Sequence, residues 1–307
     1  MGQAGETGQM GPEAIISAPA LARRGWLDRD SPIRQVLKRL RRNRLTVTGF
    51  SLLLVILAAA LLAGFLSPYD PLKMTVTDRL RGPSRAHWMG TDNFGRDIFS
   101  RVLHGARLSL QVGLAVMLLT TAAGIAFGML SGYFRRLDNS IMRVMDAMMA
   151  FPAILLAIAI MAVLGPKTVN VVIALSIVYA PRTVRIVRAS VLAIKGLDYI
   201  EAVRAQAAGH LRILFRHLLP NALSPLVVQA TFTFAYAVLA EASLSFVGAG
   251  ASPSIPSWGN ILSEGRIYMQ AAPWVTLFPG LAIAGTVLGL NLAGDGLRDV
   301  LDPRMKT

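Results

Sequence analysis

The chain has 307 residues, 54% of them hydrophobic and only 16% charged, with a mean hydropathy of +0.53. A soluble domain carries about 25% charged residues, so this composition points to a membrane protein. The net charge of +14 lies in clusters between apolar runs rather than in one patch, which argues against nucleic acid as a partner; the absence of cysteine excludes disulfides and thiolate chemistry, and four scattered histidines give no metal-ligand spacing.

Met1–Ala22 is rich in Gly, Ala, Gln and Pro without periodicity, and residues 1–30 read as a disordered tail. Residues 31–44 read as a basic helix resting on lipid headgroups. Ser31-Pro32 opens it, Ile33, Val36, Leu37 and Leu40 fall at helical spacing, and five Lys or Arg surround them. Leu45–Leu66 is uncharged and about 33 Å long as a helix, enough to cross the hydrocarbon core. A loop over 67–107 follows. A five-helix core over 108–294 then has spans at Leu108–Tyr133, Ala147–Leu164, Val169–Val187, Leu223–Ala249 and Trp274–Leu292, with a tail over 295–307. The expected fold class is all-α and polytopic, with six transmembrane helices. Of the 31 Lys and Arg, 22 fall on the side that holds both termini, so the positive-inside rule makes that side cytoplasmic. No internal repeat is evident, which weighs against an inverted-repeat transporter.

Residues 198–225, DYIEAVRAQAAGHLRILFRHLLPNALSP, fall on that same side. Asp198 with Glu201 reads as an N-cap and its acidic partner three residues on. Ala202, Ala205, Ala208 and Gly209 recur at three- and four-residue steps and give a face without bulk, suited to close approach by another helix. Leu211, Leu214, Phe215, Leu218 and Leu219 then form an apolar face, and Pro220 is expected to stop the run. The order of these features resembles the cytoplasmic EAA loop of ABC-importer permeases: Glu201-Ala202-Val203 stands for Glu-Ala-Ala, Ala207 for the glycine, and Leu219-Pro220 for the closing Leu-Pro. Since Ala207 takes positive φ less readily than glycine, Gly209 is expected to supply the turn.

In the loop after the first span, HWMGTDNFGRDIFSRVLHGARLSLQVG places Asp92 as the cap of a helix carrying Ile98, Phe99, Val102 and Leu103. Arg96 and Arg101 read as salt partners of Asp92 and Asp97. The EF-hand ligand pattern is missing. The segment resembles the permeases that import dipeptides, oligopeptides and nickel, and within them the second, GTDxxGRD-containing subunit. EASLSFVG at Glu241–Gly248, PSWGNIL at Pro256–Leu262 and GDGLRDVLDPR at Gly294–Arg304 continue that resemblance in order.

Glu241 lies inside an otherwise uncharged span, where a bare carboxylate is expensive. With Ser243 and Ser245 it reads either as a pore or subunit-interface group or as a hydrogen-bonded packing group. Asp146 and Arg143 read as a structural pair, and Pro152 as a kink. Asp295, Arg298, Asp299, Asp302 and Arg304 read as a charged tail. The chain has no phosphate-binding GxxxxGK[ST] loop. The resemblance therefore implies a non-enzymatic transport subunit in the inner membrane, without cofactor or metal of its own. Its implied partners are a homologous permease, two ATPase subunits that bind ATP and Mg, an extracytoplasmic substrate-binding protein and membrane lipid. Glu201, Ala202, Ala205, Ala207, Ala208, Gly209, Leu219 and Pro220 are the implied coupling residues. The implied cargo is peptides, with nickel complexes or glutathione as alternatives. A proton-coupled transporter using Glu241 and Asp146 is the competing class.

Overall fold

A computed structural model describes Leu40 and residues 43–252 and 254–301. The expected tail over 1–30, almost all of the basic helix over 31–44, and Asp302 and Arg304 lie outside the described residues. Among the described residues there are helices and no strands.

The helix α1 (Arg44–Leu61) starts at Asn43, whose Oδ1 accepts the N–H groups of Leu45 and Thr46 at 3.0 and 3.3 Å. Its last carbonyls are met from outside: Arg107 donates Nε to Ala60 O at 2.6 Å and Nη2 to Leu61 O at 2.9 Å, satisfying groups that a helix end leaves open. After the loop, α2 (Ile98–Tyr133) runs for 36 residues and begins ten residues before the expected span. Then come α3 (Arg135–Met149), α4 (Ala153–Leu164) and α5 (Thr168–Lys195). The short α6 (Asp198–Ala205) is followed by a helical turn at His210–Ile213 and a π turn at Leu214–Leu218, which leads without a break into α7 (Leu219–Val247). The eight-residue α8 (Trp258–Gly265) and the long α9 (Trp274–Leu301) complete the order.

Among the described residues five helical runs are long and apolar enough to cross a membrane, and the pair α3–α4 makes a sixth if it counts as one span. That pair is bent by 93°, so the expected continuous span Ala147–Leu164 is broken. Pro152 has no N–H to donate and disfavours helical geometry at Phe151, which ends α3. Alone, α4 is about 18 Å long, short of the hydrocarbon thickness of about 30 Å.

Hydrogen bonds fix which helix ends lie together. Asn43 Nδ2 reaches Asp299 Oδ2 at 3.4 Å, Ser224 Oγ donates to Leu301 O at 3.3 Å, and Lys195 Nζ donates to Tyr133 O at 2.6 Å. At the opposite end, Trp274 Nε1 donates to Thr91 O at 3.2 Å and Ser263 Oγ to Phe246 O at 3.0 Å. The long helices α2, α5 and α9 therefore run one way and α1 and α7 the other, and the described chain begins and finishes at one end, shared with α6.

The most extensive helix contact joins α2 to α5. Gly124, Gly128 and Gly132, spaced four apart, present bare backbone to Thr183, Val187 and Val191. A Cβ added at Gly128 would stand 2.7 Å from that of Val187, and one at Gly132 2.8 Å from that of Val191. Without a hydrophobic drive between helices in lipid, such close approach supplies the packing attraction.

Candidate coupling loop and buried carboxylate

The loop is built outward from a core at the converging ends of α2, α5 and α7. Ile200 on α6, with Ile213, Leu214 and Leu218 after it, is buried against Met129, Tyr133, Val187, Val191 and Leu226. Tyr133 is the hub. Its hydroxyl meets His210 Nδ1 at 2.8 Å, the Arg204 guanidinium lies over its ring at 5.5 Å, and its carbonyl takes the Lys195 ammonium. Glu201, Ala202, Ala205, Ala207 and Gly209 are exposed on the outer side, and Ala208 is half-buried. The small face is thus open, while the elements under it are fixed.

Three details differ from expectation. The residue before α6 is Leu197, and Asp198 lies inside the first turn with Glu201, where the helix dipole favours both carboxylates without a side-chain cap. The turn sits at Ala207 itself, with φ +56°, whereas Gly209 has an ordinary extended backbone at φ −64°, ψ 152°. Ala207 N donates to Arg204 O at 2.9 Å and Ala208 N to Val203 O at 3.4 Å, the paired bonds of a Schellman helix end, a position that usually holds glycine. Finally, Pro220 does not stop the run. Leu219 N donates to Leu214 O, one residue beyond α-helical reach, and this π register carries the helix past a proline that cannot donate. The same shift splits the expected apolar face: Leu214 and Leu218 are buried, but Leu211 is 71% and Phe215 59% exposed.

A left-handed alanine costs about 1 kcal/mol relative to glycine. Ala207→Gly is therefore expected to raise the melting temperature of the purified protein by about 2 °C, and Ala207→Val to lower it. A melting point unmoved by either change would contradict the assigned backbone.

Two ion pairs hold α3 against α5 beside the loop. Asp138 takes Nε and Nη2 of Arg188 at 2.5 and 2.7 Å, and Asp146 takes Arg185 Nη2 at 2.6 Å. Asp146 therefore pairs across helices rather than with Arg143 on its own. Neither arginine was linked to these carboxylates by sequence spacing.

Toward the opposite end, Glu241 of α7 is fully buried. Its Oε2 accepts from Ser109 of α2 at 3.0 Å and its Oε1 from Ser245 at 2.9 Å. Ser109 Oγ in turn accepts Trp258 N, at the start of α8, at 3.4 Å. Ser243 is not part of this cluster; it is half-buried and donates to Leu239 O on its own helix at 2.8 Å. The carboxyl joins α2, α7 and α8 through hydroxyl groups alone, and no cation lies within ion-pair distance among the described residues. Glu241→Gln keeps a hydrogen-bonding amide there and is expected to hold stability within about 1 kcal/mol, whereas Glu241→Ala loses about 2 kcal/mol. Thermal unfolding checks both, and transport retained by Glu241→Gln would rule out a proton-carrying role.

Asp92 does not cap α2. That is done by Asp97, whose Oδ2 accepts Ser100 N at 2.8 Å and whose Oδ1 meets His87 Nδ1 at 2.9 Å. Asp92 instead accepts Phe94 N at 2.8 Å, Arg96 N at 2.9 Å and Arg96 Nε at 2.6 Å, and it pairs with Arg101. Arg101 also binds Glu264 of α8 at 2.7 and 3.2 Å, and Arg96 pairs with the same carboxylate. This buried network fastens the loop and α2 to α8.

Residues 124–307 match the family described as binding-protein-dependent transport system inner membrane component. The chain belongs to that family of permeases. Residues 31–83 also match the N-terminal TM domain of oligopeptide transport permease C. The permease is 51% identical over 276 residues to a proposed peptide transport system permease protein of Brucella abortus, covering 90% of this chain and 93% of the relative. It is 46% identical over 278 residues to the dipeptide transport system permease protein DppC of Alkalihalophilus pseudofirmus, covering 90% and 91%. It is 45% identical over 279 residues to the glutathione transport system permease protein GsiD of Pectobacterium atrosepticum, covering 90% and 93%. Among solved structures it resembles a chain of the MetNI methionine ABC transporter in an inward-facing conformation, at TM-score 0.54 and 23% identity, covering 66% of this chain and 96% of that one. The likeness extends to the fold. This permease is a multi-pass membrane subunit of an ABC transporter.

Proposed function

We propose that this permease pairs with a homologous permease to enclose an import path for peptides or peptide-like solutes. Two ATPase subunits, holding ATP and Mg, dock on α6 from the cytoplasm, and an extracytoplasmic binding protein delivers the cargo at the opposite end. The observation that carries this reading is the exposed small face of α6, set on a buried anchor where α2, α5 and α7 converge. Displacement of α6 has a short route inward, since Ile213, Leu214 and Leu218 join it to the start of α7. Two packings of the spans, biased by ATP, then give inward-open and outward-open states. The density of Lys and Arg at the α6 end supports its cytoplasmic placement. Peptide cargo rests on the names of the relatives at 51% and 46% identity, and glutathione, the second reading, on the relative at 45%.

The test is uptake into proteoliposomes holding both permeases and both ATPases, supplied with the cognate binding protein. ATP-dependent accumulation of labelled di- and oligopeptides is expected. Accumulation of glutathione alone would move the assignment to the second reading, and uptake driven by a proton gradient without ATP would overturn it.

A further inference from the structure

Seven Lys and Arg fall between residues 67 and 107, on the side where the positive-inside rule expects few. The fold accounts for three of them: Arg96 and Arg101 lie in the buried Asp92–Glu264 network, and Arg107 closes α1. The other four, Lys73, Arg79, Arg81 and Arg85, are exposed. Arg81 lies 2.8 Å from Asp78 but stays open to solvent, and Lys73, Arg79 and Arg85 have no carboxylate partner among the described residues.

These cations stand on a braced platform. Thr75 N donates to Phe94 O at 3.2 Å, Leu80 N to Asp92 O at 3.0 Å, Thr91 N to Arg81 O at 2.9 Å and Ser84 N to His87 O at 2.8 Å. Large apolar groups are exposed among them: Val76 at 83% and Trp88 at 63%. Met74, Val76, Arg79, Asn93, Phe94 and Tyr268 wall a cavity of about 360 Å³ with mostly apolar sides. Lipid headgroups would need the charge alone. Set against Asp70 and Asp78, the four cations leave an excess of positive charge. This excess around a walled apolar cavity fits a folded acidic surface that offers one apolar side chain, while the prior bracing lowers the cost of ordering on contact.

We propose that the 67–97 loop docks an acidic face of the extracytoplasmic binding protein, with an apolar side chain of that partner entering the Phe94–Tyr268 cavity. This rests on the proposed function and names the surface and the charge sign of its partner. The test measures Kd of the purified binding protein for the intact permease–ATPase complex in phosphatidylcholine nanodiscs. The triple variant Lys73→Glu/Arg79→Glu/Arg85→Glu is expected to weaken binding about tenfold or more and to remove the weakening by salt seen in the wild type. Phe94→Ala weakens binding without changing its salt dependence, and Lys167→Glu, an exposed cation in another turn at the same end, leaves Kd unchanged. Equal Kd for wild type and triple variant would overturn this surface while leaving the function reading intact. A loss confined to nanodiscs containing anionic lipid would assign the cations to headgroups and overturn it as well. Absence of any binding to the wild-type complex would remove the function reading on which the surface rests.

Discussion

Replacing Arg101 by leucine is expected to destabilise the permease by about 3–5 kcal/mol, the largest single effect in the chain. Arg101 is 1% exposed and its guanidinium serves both Asp92, which is fully buried, and Glu264. Leucine fills part of the volume but leaves two carboxylates facing only Arg96. The charge left unpaired costs more than the lost bonds, because water cannot reach Asp92. The loss falls on the junction of the 67–97 loop with α8, so the melting temperature should fall by about 10 °C. Adding Glu264→Gln to Arg101→Leu removes one stranded charge and should recover part of the loss, a coupling that independent sites would not show. A change within about 1 kcal/mol for Arg101→Leu alone would mean that the network is open to solvent, contrary to its burial.

Ala205→Trp is expected to lower ATP-driven uptake about tenfold or more while the chain still inserts and folds. Ala205 is exposed, so the indole strains nothing within this chain; it fills space that the docked partner needs. Overpacking of a close interface costs about 1–3 kcal/mol, which translates into about 5–150-fold in affinity. Glu201→Arg acts at the same surface by charge, placing a cation at the positive end of α6 and reversing any contact with a basic partner. The readout is paired: uptake and ATPase stimulation fall, whereas membrane insertion and melting temperature do not. A fall in all four would make α6 a folding element and remove its docking role.

Much of this architecture was legible in the sequence because lipid imposes strong rules. Runs of apolar residues marked the spans, and the order Glu201 to Pro220 marked the exposed loop. What escaped reading depended on contacts between distant residues. Ala147–Leu164 reads as a span by hydropathy, but Pro152 lets α3 turn away, and its bonds to Arg185 and Arg188 lie some 40–50 residues on. The helices α2 and α9 run past their apolar spans, because amphipathic turns extend a helix beyond its apolar stretch. The pattern Gly124, Gly128, Gly132 was visible and would have located the α2–α5 contact. At the loop, glycine preference argued for Gly209, yet the helix end requires its left-handed residue two positions earlier, and Ala207 takes that strain. At the buried carboxylate, Ser243 and Ser245 looked equivalent, but on a helix only i+4 from Glu241 faces the same way.

The chain has no cysteine, so Ala205→Cys would be its sole thiol. Cross-linking that thiol to a single cysteine in a partner ATPase subunit, within the assembled complex, tests the central claim that α6 carries the ATPase contact. The expected result is a cross-linked permease–ATPase pair whose uptake stops and returns on reduction. A thiol that stays freely reactive in the assembled complex, with uptake unaffected by the cross-linker, would contradict it.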